Sequence, residues 1–308
     1  MHIHPMLKKQ IMKPDRSIVD FVIYHANCVD GFGAAWSAWK FLGNEAEYYA
    51  ATHGDDPPDV TNRNVIILDF SYPNKTIKKM ISESNSLVVI DHHKSAMIDL
   101  SDIPSAHFDM SHSGAVLAWK FFHPSSSIPS FIEYIEDRDL WKWRLPRSKE
   151  FSAGLSVYPM SFESFTKLEI DDVFSDVCER GSYILEYVEA EVEKISNRAT
   201  LRTWRGKKIF IVNSSQLVSE IGSRLSPDCD FVVIWYFDHD RQKYNVGLRS
   251  FHENIDVSEV AKLFGGGGHK KAAGFGLPRS SFDGLHIDDI FKSDLETYDI
   301  DSAGGSSE

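Results

Sequence analysis

At 308 residues the chain is long for one domain of ordinary size and fits two, each able to bury its own core. Hydrophobic residues at 42% and charged residues at 25% are ordinary globular values, which argues against wholesale disorder. The formal net charge of −12 argues against a grip on long nucleic acid, which needs a basic surface, and leaves short anions held by metal ions and a few basic side chains.

After a polar start to about Arg16, a first strand is expected from about Ile18 to Tyr24. It runs into His25, with Cys28 and Asp30 close behind, and leads through Gly31-Phe32-Gly33 into a helix over Ala34–Lys40. A short strand over Ala46–Ala51 precedes the loop Gly54-Asp55-Asp56-Pro57-Pro58. The apolar run Val65–Leu68 ends in Asp69, and a helix over about Asn74–Ser82 puts Ile77, Met80 and Ile81 on one stripe. The run Leu87–Ile90 then ends in Asp91-His92-His93. Helices follow over Ser113–Trp119 and Phe131–Ile135, the second delivering Glu136-Asp137-Arg138-Asp139. From Leu145 to about Ala199 the pattern is mostly helical, and strands are expected at Lys208–Val212, Phe231–Trp235 and Tyr244–Arg249. A helix over Val257–Phe264 leads into Gly265-Gly266-Gly267-Gly268-His269.

Alternating strands and helices predict an α/β fold. Its expected parts are a doubly wound, mainly parallel sheet domain over 16–145, a helical connector over 146–200, a smaller α/β substrate-binding domain over 201–292 and a disordered tail over 293–308. Three cysteines, Cys28, Cys178 and Cys229, are odd in number and far apart, which argues against a disulfide framework and for a reducing compartment. No apolar run approaches the roughly 20 residues of a membrane helix, so a soluble cytoplasmic protein is expected. His2 and His4 could bind a surface metal, although a frayed terminus explains them as well.

Three apolar strands that end in acidic, imidazole or thiol groups carry the chemistry. One aspartate after a strand is ordinarily a turn former or helix cap, and one histidine ordinarily partners the backbone. Three such junctions together favour a ligand set at the carboxyl edge of a sheet. Carboxylates and imidazoles at mixed spacing suit two divalent cations, Mn²⁺ first, with Mg²⁺, Zn²⁺ and Fe²⁺ open. Asp69 is the natural bridge, because its strand is expected between the other two. The glycine run, followed by Lys270 and Lys271 and preceded by Arg249-Ser250, reads as a phosphate cradle built from Gly266, Gly267, Gly268 and neighbouring side chains; a flexible turn is the plainer alternative. Trp141 and Trp143 could stack a base, but beside an apolar helix end they read more readily as core.

His25-Ala26-Asn27-Cys28-Val29-Asp30-Gly31, Asp69 after its strand, Asp91-His92-His93, the Asp137 region and Gly266-Gly267-Gly268-His269 together resemble the DHH phosphoesterase superfamily with its DHH-associated C-terminal domain. The match spans roughly residues 18 to 276. The resemblance implies a two-domain phosphodiesterase or phosphatase, commonly Mn²⁺-dependent. It implies His25, Asp30, Asp69, His92 and Asp137 as metal ligands, Asp91 orienting its neighbours, His93 as a phosphate contact, and Arg249 and His269 as substrate contacts. Asp69, Asp91 and His93 are thereby the catalytic candidates. Many members carry an aspartate where this chain has Cys28, a softer ligand that would favour Zn²⁺ or Fe²⁺ if it coordinates. Asp139 is the alternative to Asp137.

The expected activity is metal-dependent hydrolysis of a short phosphodiester such as an oligonucleotide. Cyclic dinucleotides, pAp and polyphosphate are alternative substrates, and a non-catalytic nucleotide sensor or a structural metal protein are the rival classes.

Overall fold

The computed structural model describes residues 16–279 and Phe291. The histidines at the amino end and the expected disordered tail lie outside the described residues. The chain runs β1 (Phe21–His25), α1 (Val29–Leu42), β2 (Glu47–Ala51), β3 (Asn64–Leu68), α2 (Asn74–Glu83), β4 (Ser86–Asp91), α3 (Lys94–Asp99) and β5 (Ala106–Phe108). Helices α4 (Gly114–Phe122), α5 (Ser130–Asp139), α6 (Ser148–Leu155), α7 (Phe162–Lys167) and α8 (Asp171–Ser196) follow. The last section comprises β6 (Thr200–Trp204), β7 (Lys207–Asn213), α9 (Val218–Leu225), β8 (Phe231–Asp238), β9 (Lys243–Arg249), α10 (Val257–Lys262), β10 (Gly267–Gly268) and β11 (Ala272–Pro278).

Two compact units emerge. The first takes the described residues up to His92, then Asp99–Ser148 and Tyr158–Phe174; the second takes His93–Ile98, Lys149–Val157 and the described residues from Ser175 on. The chain therefore passes from one unit to the other inside the triplet Asp91-His92-His93.

The first unit is built on a five-stranded, wholly parallel sheet in the order β2-β1-β3-β4-β5. Both faces are covered, which is why its central strands read as unbroken apolar runs rather than alternating ones. Phe21, Ile23, Val65, Ile67, Leu87 and Val89 pack on one face with Ile77 and Met80 of α2. Val22, Ile66, Leu68, Val88 and Ile90 pack on the other with Ala34 and Ala38 of α1 and Ala118 and Phe122 of α4. The doubly wound expectation holds. Strand order reverses between β1 and β3, and such a reversal opens a crevice at the carboxyl ends of the strands.

In the second unit a six-stranded sheet runs β10-β11-β9-β8-β7-β6, parallel only between β7 and β8. One face packs Ile209, Ile211, Val233 and Leu248 against Val257 and Ala261 of α10. The other packs Val212, Val232 and Ile234 against Ile221 and Leu225 of α9 and Val192 of α8.

Candidate metal centre

Register places the ligand row. Tyr24 pairs with Leu68 and Leu68 with Ile90, so His25, Asp69 and Asp91 follow at the same level on three adjacent strands. Strand β3 does lie between β1 and β4, as the bridging assignment of Asp69 requires. Asp69 leaves its strand with a left-handed φ of 53°, a conformation that aspartate tolerates better than most residues, and its amide donates to the Ile90 carbonyl at 3.0 Å.

The Asp69 carboxylate, 1% exposed, faces two groups of donors. Its Oδ2 lies 3.7 Å from His25 Nδ1 and 3.9 Å from Cys28 Sγ. Its Oδ1 lies 3.1 Å from His92 Nε2, which in turn lies 3.7 Å from Asp30 Oδ2 and 3.6 Å from Asp139 Oδ2. One ligand atom each from His25, Cys28 and Asp69 fall within 4.8 Å of one another, and the same holds for Asp30, His92 and Asp139. Donors bound to one ion at about 2.0–2.3 Å can be separated by up to roughly 4.6 Å, and the separations of Asp69 from His25 and Cys28 and of His92 from Asp30 and Asp139 fall inside that limit. Asp91 is 1% exposed, with Oδ1 accepting from the His92 amide at 2.7 Å.

Asp30 is held by the start of a helix. Its Oδ2 accepts from the Gly114 amide at 2.6 Å and its Oδ1 from the Ala115 amide at 3.0 Å, while Ser113 caps α4 by accepting from the Val116 amide. The positive end of the α4 dipole thus faces a buried carboxylate. Ser113-Gly114-Ala115 is a part of the site that sequence reading treated as an ordinary helix start. A β-carbon on Gly114 would stand 2.4 Å from Asp69 Cβ, 2.6 Å from its Cγ and 2.7 Å from its Oδ1, so only glycine lets the helix approach so closely.

Without a cation the cluster is electrostatically mismatched. Burial, and then the charges of Asp69 and Asp139, push the Asp30 carboxyl well above the carboxylate range despite His92 nearby. Burial opposes the charged form of His92, but the Asp69 hydrogen bond and the Asp139 and Asp30 charges override it and push the imidazole up to about 10. Burial and the charges of Asp69 and Asp30 raise the Cys28 thiol well above its ordinary value. Each group would adopt its ligand form once a divalent cation supplied the missing positive charge, so the donor set fits the implied metals.

Metal loading is accordingly expected to release protons, because a ligating imidazole and carboxylate must be unprotonated. Apparent affinity should rise with pH on the acid side of about 10, read by calorimetry in buffers of different ionisation enthalpy. His92 has a folded value above its ordinary 6.5, so its contribution to the metal-free fold is complete below that value and is lost as pH climbs through about 10. The raised Asp30 acts in the same direction. Chelated protein should therefore melt at lower temperature as pH rises from about 7 to about 10.

Three expectations need correction. Asp137, 4% exposed, is not in the cluster: its oxygens accept from the Arg144 amide at 2.9 Å and the Leu145 amide at 3.2 Å. Asp139 stands there instead. Ser250 is fully buried and committed to the fold, donating to the Asp230 carbonyl at 2.7 Å and accepting from the His252 amide. The glycine run is chiefly a packing device: Gly267 and Gly268 pair with Gly274 and Ala273 of β11, and the amides of Gly265, Gly266 and His269 donate to Lys262, Ala261 and Ala272. The amides of Gly265, Gly266 and His269 are thus taken by the backbone.

In the second unit His93 and His269 stack, with ring centroids 4.6 Å apart. Arg249 is half-buried on β9, its Nε donating to Ser219 Oγ at 3.2 Å and its Nη1 to the Leu248 carbonyl at 3.0 Å. Lys94, next to His93, pairs with Asp256 at 2.6 Å, the residue that caps α10. No helix among the described residues is long and apolar enough to cross a membrane.

The chain is similar to several known proteins. Residues 207–292 match the model of the DHHA1 domain. A protein of Acanthamoeba polyphaga mimivirus, Uncharacterized protein R106, is 32% identical over 292 residues, covering 87% of this chain and 69% of its own length. Oligoribonuclease NrnB of Bacillus subtilis is 23% identical, covering 88% of this chain and 76% of its own. The solved structure of a pGpG-specific phosphodiesterase, PggH from Vibrio, aligns over 88% of this chain and 94% of its own at 16% identity, with a TM-score of 0.48. The strand-end motifs of this chain and the DHHA1 match over its residues 207–292 place the family: the chain belongs to the DHH phosphoesterase superfamily.

Proposed function

We propose that the protein is a hydrolase of short oligonucleotides that depends on two divalent cations. The observation that carries the reading is the two-sided Asp69 carboxylate, one oxygen toward His25 and Cys28 and the other toward His92 beside Asp30 and Asp139. His25, Cys28 and Asp69 would hold one ion; Asp30, Asp69, His92 and Asp139 the other. When bound, such ions activate water and offset the charge that builds on a phosphoryl group. The chain's own residues do the rest. Asp69 fixes the spacing of the two positions, Asp91 holds the backbone at His92, and the α4 amides keep Asp30 aimed. His93, His269 and Arg249 would contact a substrate phosphate.

The acidic balance of the chain and the activity named for NrnB both favour a short nucleotide substrate over a long one. Hydrolysis of a 5′-labelled dinucleotide, run beside a cyclic dinucleotide, pAp and polyphosphate with each of Mn²⁺, Mg²⁺, Zn²⁺ and Fe²⁺, tests it. Turnover of the dinucleotide, abolished by chelator and restored by metal, is expected; turnover of polyphosphate alone would refute the substrate assignment.

Cys28 lends itself to a spectroscopic test. Co²⁺ loaded into the protein should show a thiolate-to-metal charge-transfer band that Cys28→Asp removes, while the variant shifts metal preference from Zn²⁺ toward Mn²⁺. A Co²⁺ spectrum identical in both proteins would rule the thiolate out as a ligand.

A further inference from the structure

The loop that follows α5 carries two half-buried tryptophans. Trp36, Trp119 and Trp204 are sealed in, at 0%, 6% and 7% exposure, whereas Trp141 and Trp143, like Trp39 and Trp235, are half-buried. Trp141 and Trp143 adopt left-handed backbone, with φ of 53° and 50°, a conformation that bulky side chains avoid. Asp137 imposes it: its carbonyl accepts from the Lys142 and Trp143 amides, and its buried carboxylate from those of Arg144 and Leu145. A buried carboxylate and two residues in left-handed backbone hold one short loop in place, and strain of this kind collects at functional sites.

The loop displays a specific surface. The Arg138 guanidinium carbon lies 4.3 Å from the Trp141 ring centroid and 5.6 Å from that of Trp143, and the two indoles meet edge to face at 5.0 Å. Indole faces with an attendant guanidinium suit a nucleobase, because every base has a stackable face whatever its sequence identity. Arg138 is also the immediate neighbour of Asp139, whose carboxylate lies 3.6 Å from His92.

We propose that Arg138, Trp141 and Trp143 form a stacking platform for one nucleobase of the substrate, an assignment that rests on the oligonucleotide reading above. Specificity for nucleotides over other phosphorylated compounds then resides in this loop.

The test is a binding measurement that needs no turnover. Dissociation constants for AMP and for ribose 5-phosphate are compared in the full-length, metal-loaded wild type, Trp141→Ala, Trp141→Phe and Trp143→Phe, with melting curves to confirm folding. Wild type is expected to prefer AMP by about tenfold or more, within the range that base–aromatic stacking supplies. Trp141→Ala should erase most of that preference, and the phenylalanine variants should keep most of it. Equal affinity for the two ligands in wild type, or an unchanged preference in a folded Trp141→Ala, overturns the platform. If Trp141→Ala does not fold, an AMP preference in Trp141→Phe equal to wild type, with no change in tryptophan emission on AMP binding in either, overturns it as well. Dinucleotide hydrolysis in the same samples reports separately on the chemistry: a protein that prefers AMP yet cleaves no phosphodiester keeps the platform and loses the proposed activity.

Discussion

Asp69→Asn is expected to lower turnover by about 10³-fold or more, equivalent to roughly 4 kcal/mol of transition-state stabilisation. Asparagine matches aspartate in shape and tolerates the left-handed φ of 53° at this position, so the backbone of the turn should survive. What disappears is a negative charge that faces His25 and Cys28 through one oxygen and His92 through the other, together with one of the oxygens able to ligate. Metal analysis should show the loss of at least one equivalent. Stability should move the other way in the chelated protein. Asp30, Asp69 and Asp139 crowd around His92, and removing one of these charges from a buried site relieves repulsion that no cation is there to offset. Chelated Asp69→Asn should therefore melt above chelated wild type, while the stabilisation gained on adding Mn²⁺ shrinks. Mn²⁺-dependent turnover within tenfold of wild type would remove Asp69 from the bridging position.

Much of this arrangement was readable from the sequence because parallel strands covered on both faces must be apolar throughout. Val65–Leu68 and Leu87–Ile90 stand out for that reason, and the polar residue that ends each run necessarily sits at the sheet edge. The elements that went unread lack that signature. Strand β6 is an exposed edge strand, β5 has three residues, and β11 is Ala-Ala-Gly-Phe-Gly-Leu-Pro, with no β-branched residue. The choice between Asp137 and Asp139 could not be made from spacing either. Both stand at the end of α5, and what separates them is a set of backbone amides from 144 and 145 that turn back onto the first. The glycine run shows the opposite failure. Its composition suits an anion cradle, but composition does not reveal that a strand must lie against β11 so closely that a β-carbon on Gly266 would stand 2.1 Å from the Gly274 carbonyl oxygen.

Gly114→Ala is expected to cut kcat/KM by about 10²-fold, the scale on which a displacement of about 1 Å of a reacting group is felt. By itself the substitution should help the helix, since alanine is favoured over glycine in a helix by about 1 kcal/mol. The added methyl, however, would sit 2.4 Å from Asp69 Cβ, and Asp69 cannot yield freely because its amide is bonded to Ile90 and its carboxylate is enclosed. Helix α4 must then withdraw, taking with it the Gly114 and Ala115 amides that aim Asp30. One methyl group thus disturbs both triads. Ser113→Ala separates this effect from a general weakening of α4: it removes the cap bond to Val116, at a cost of about 1 kcal/mol in stability, yet adds nothing beside Asp69. The two variants should therefore part company, with Ser113→Ala melting lower but retaining most of its activity, and Gly114→Ala losing activity and metal affinity out of proportion to any change in melting temperature. Activity that follows melting temperature along one common line in both variants would mean that α4 supports the fold without setting the geometry of the cluster.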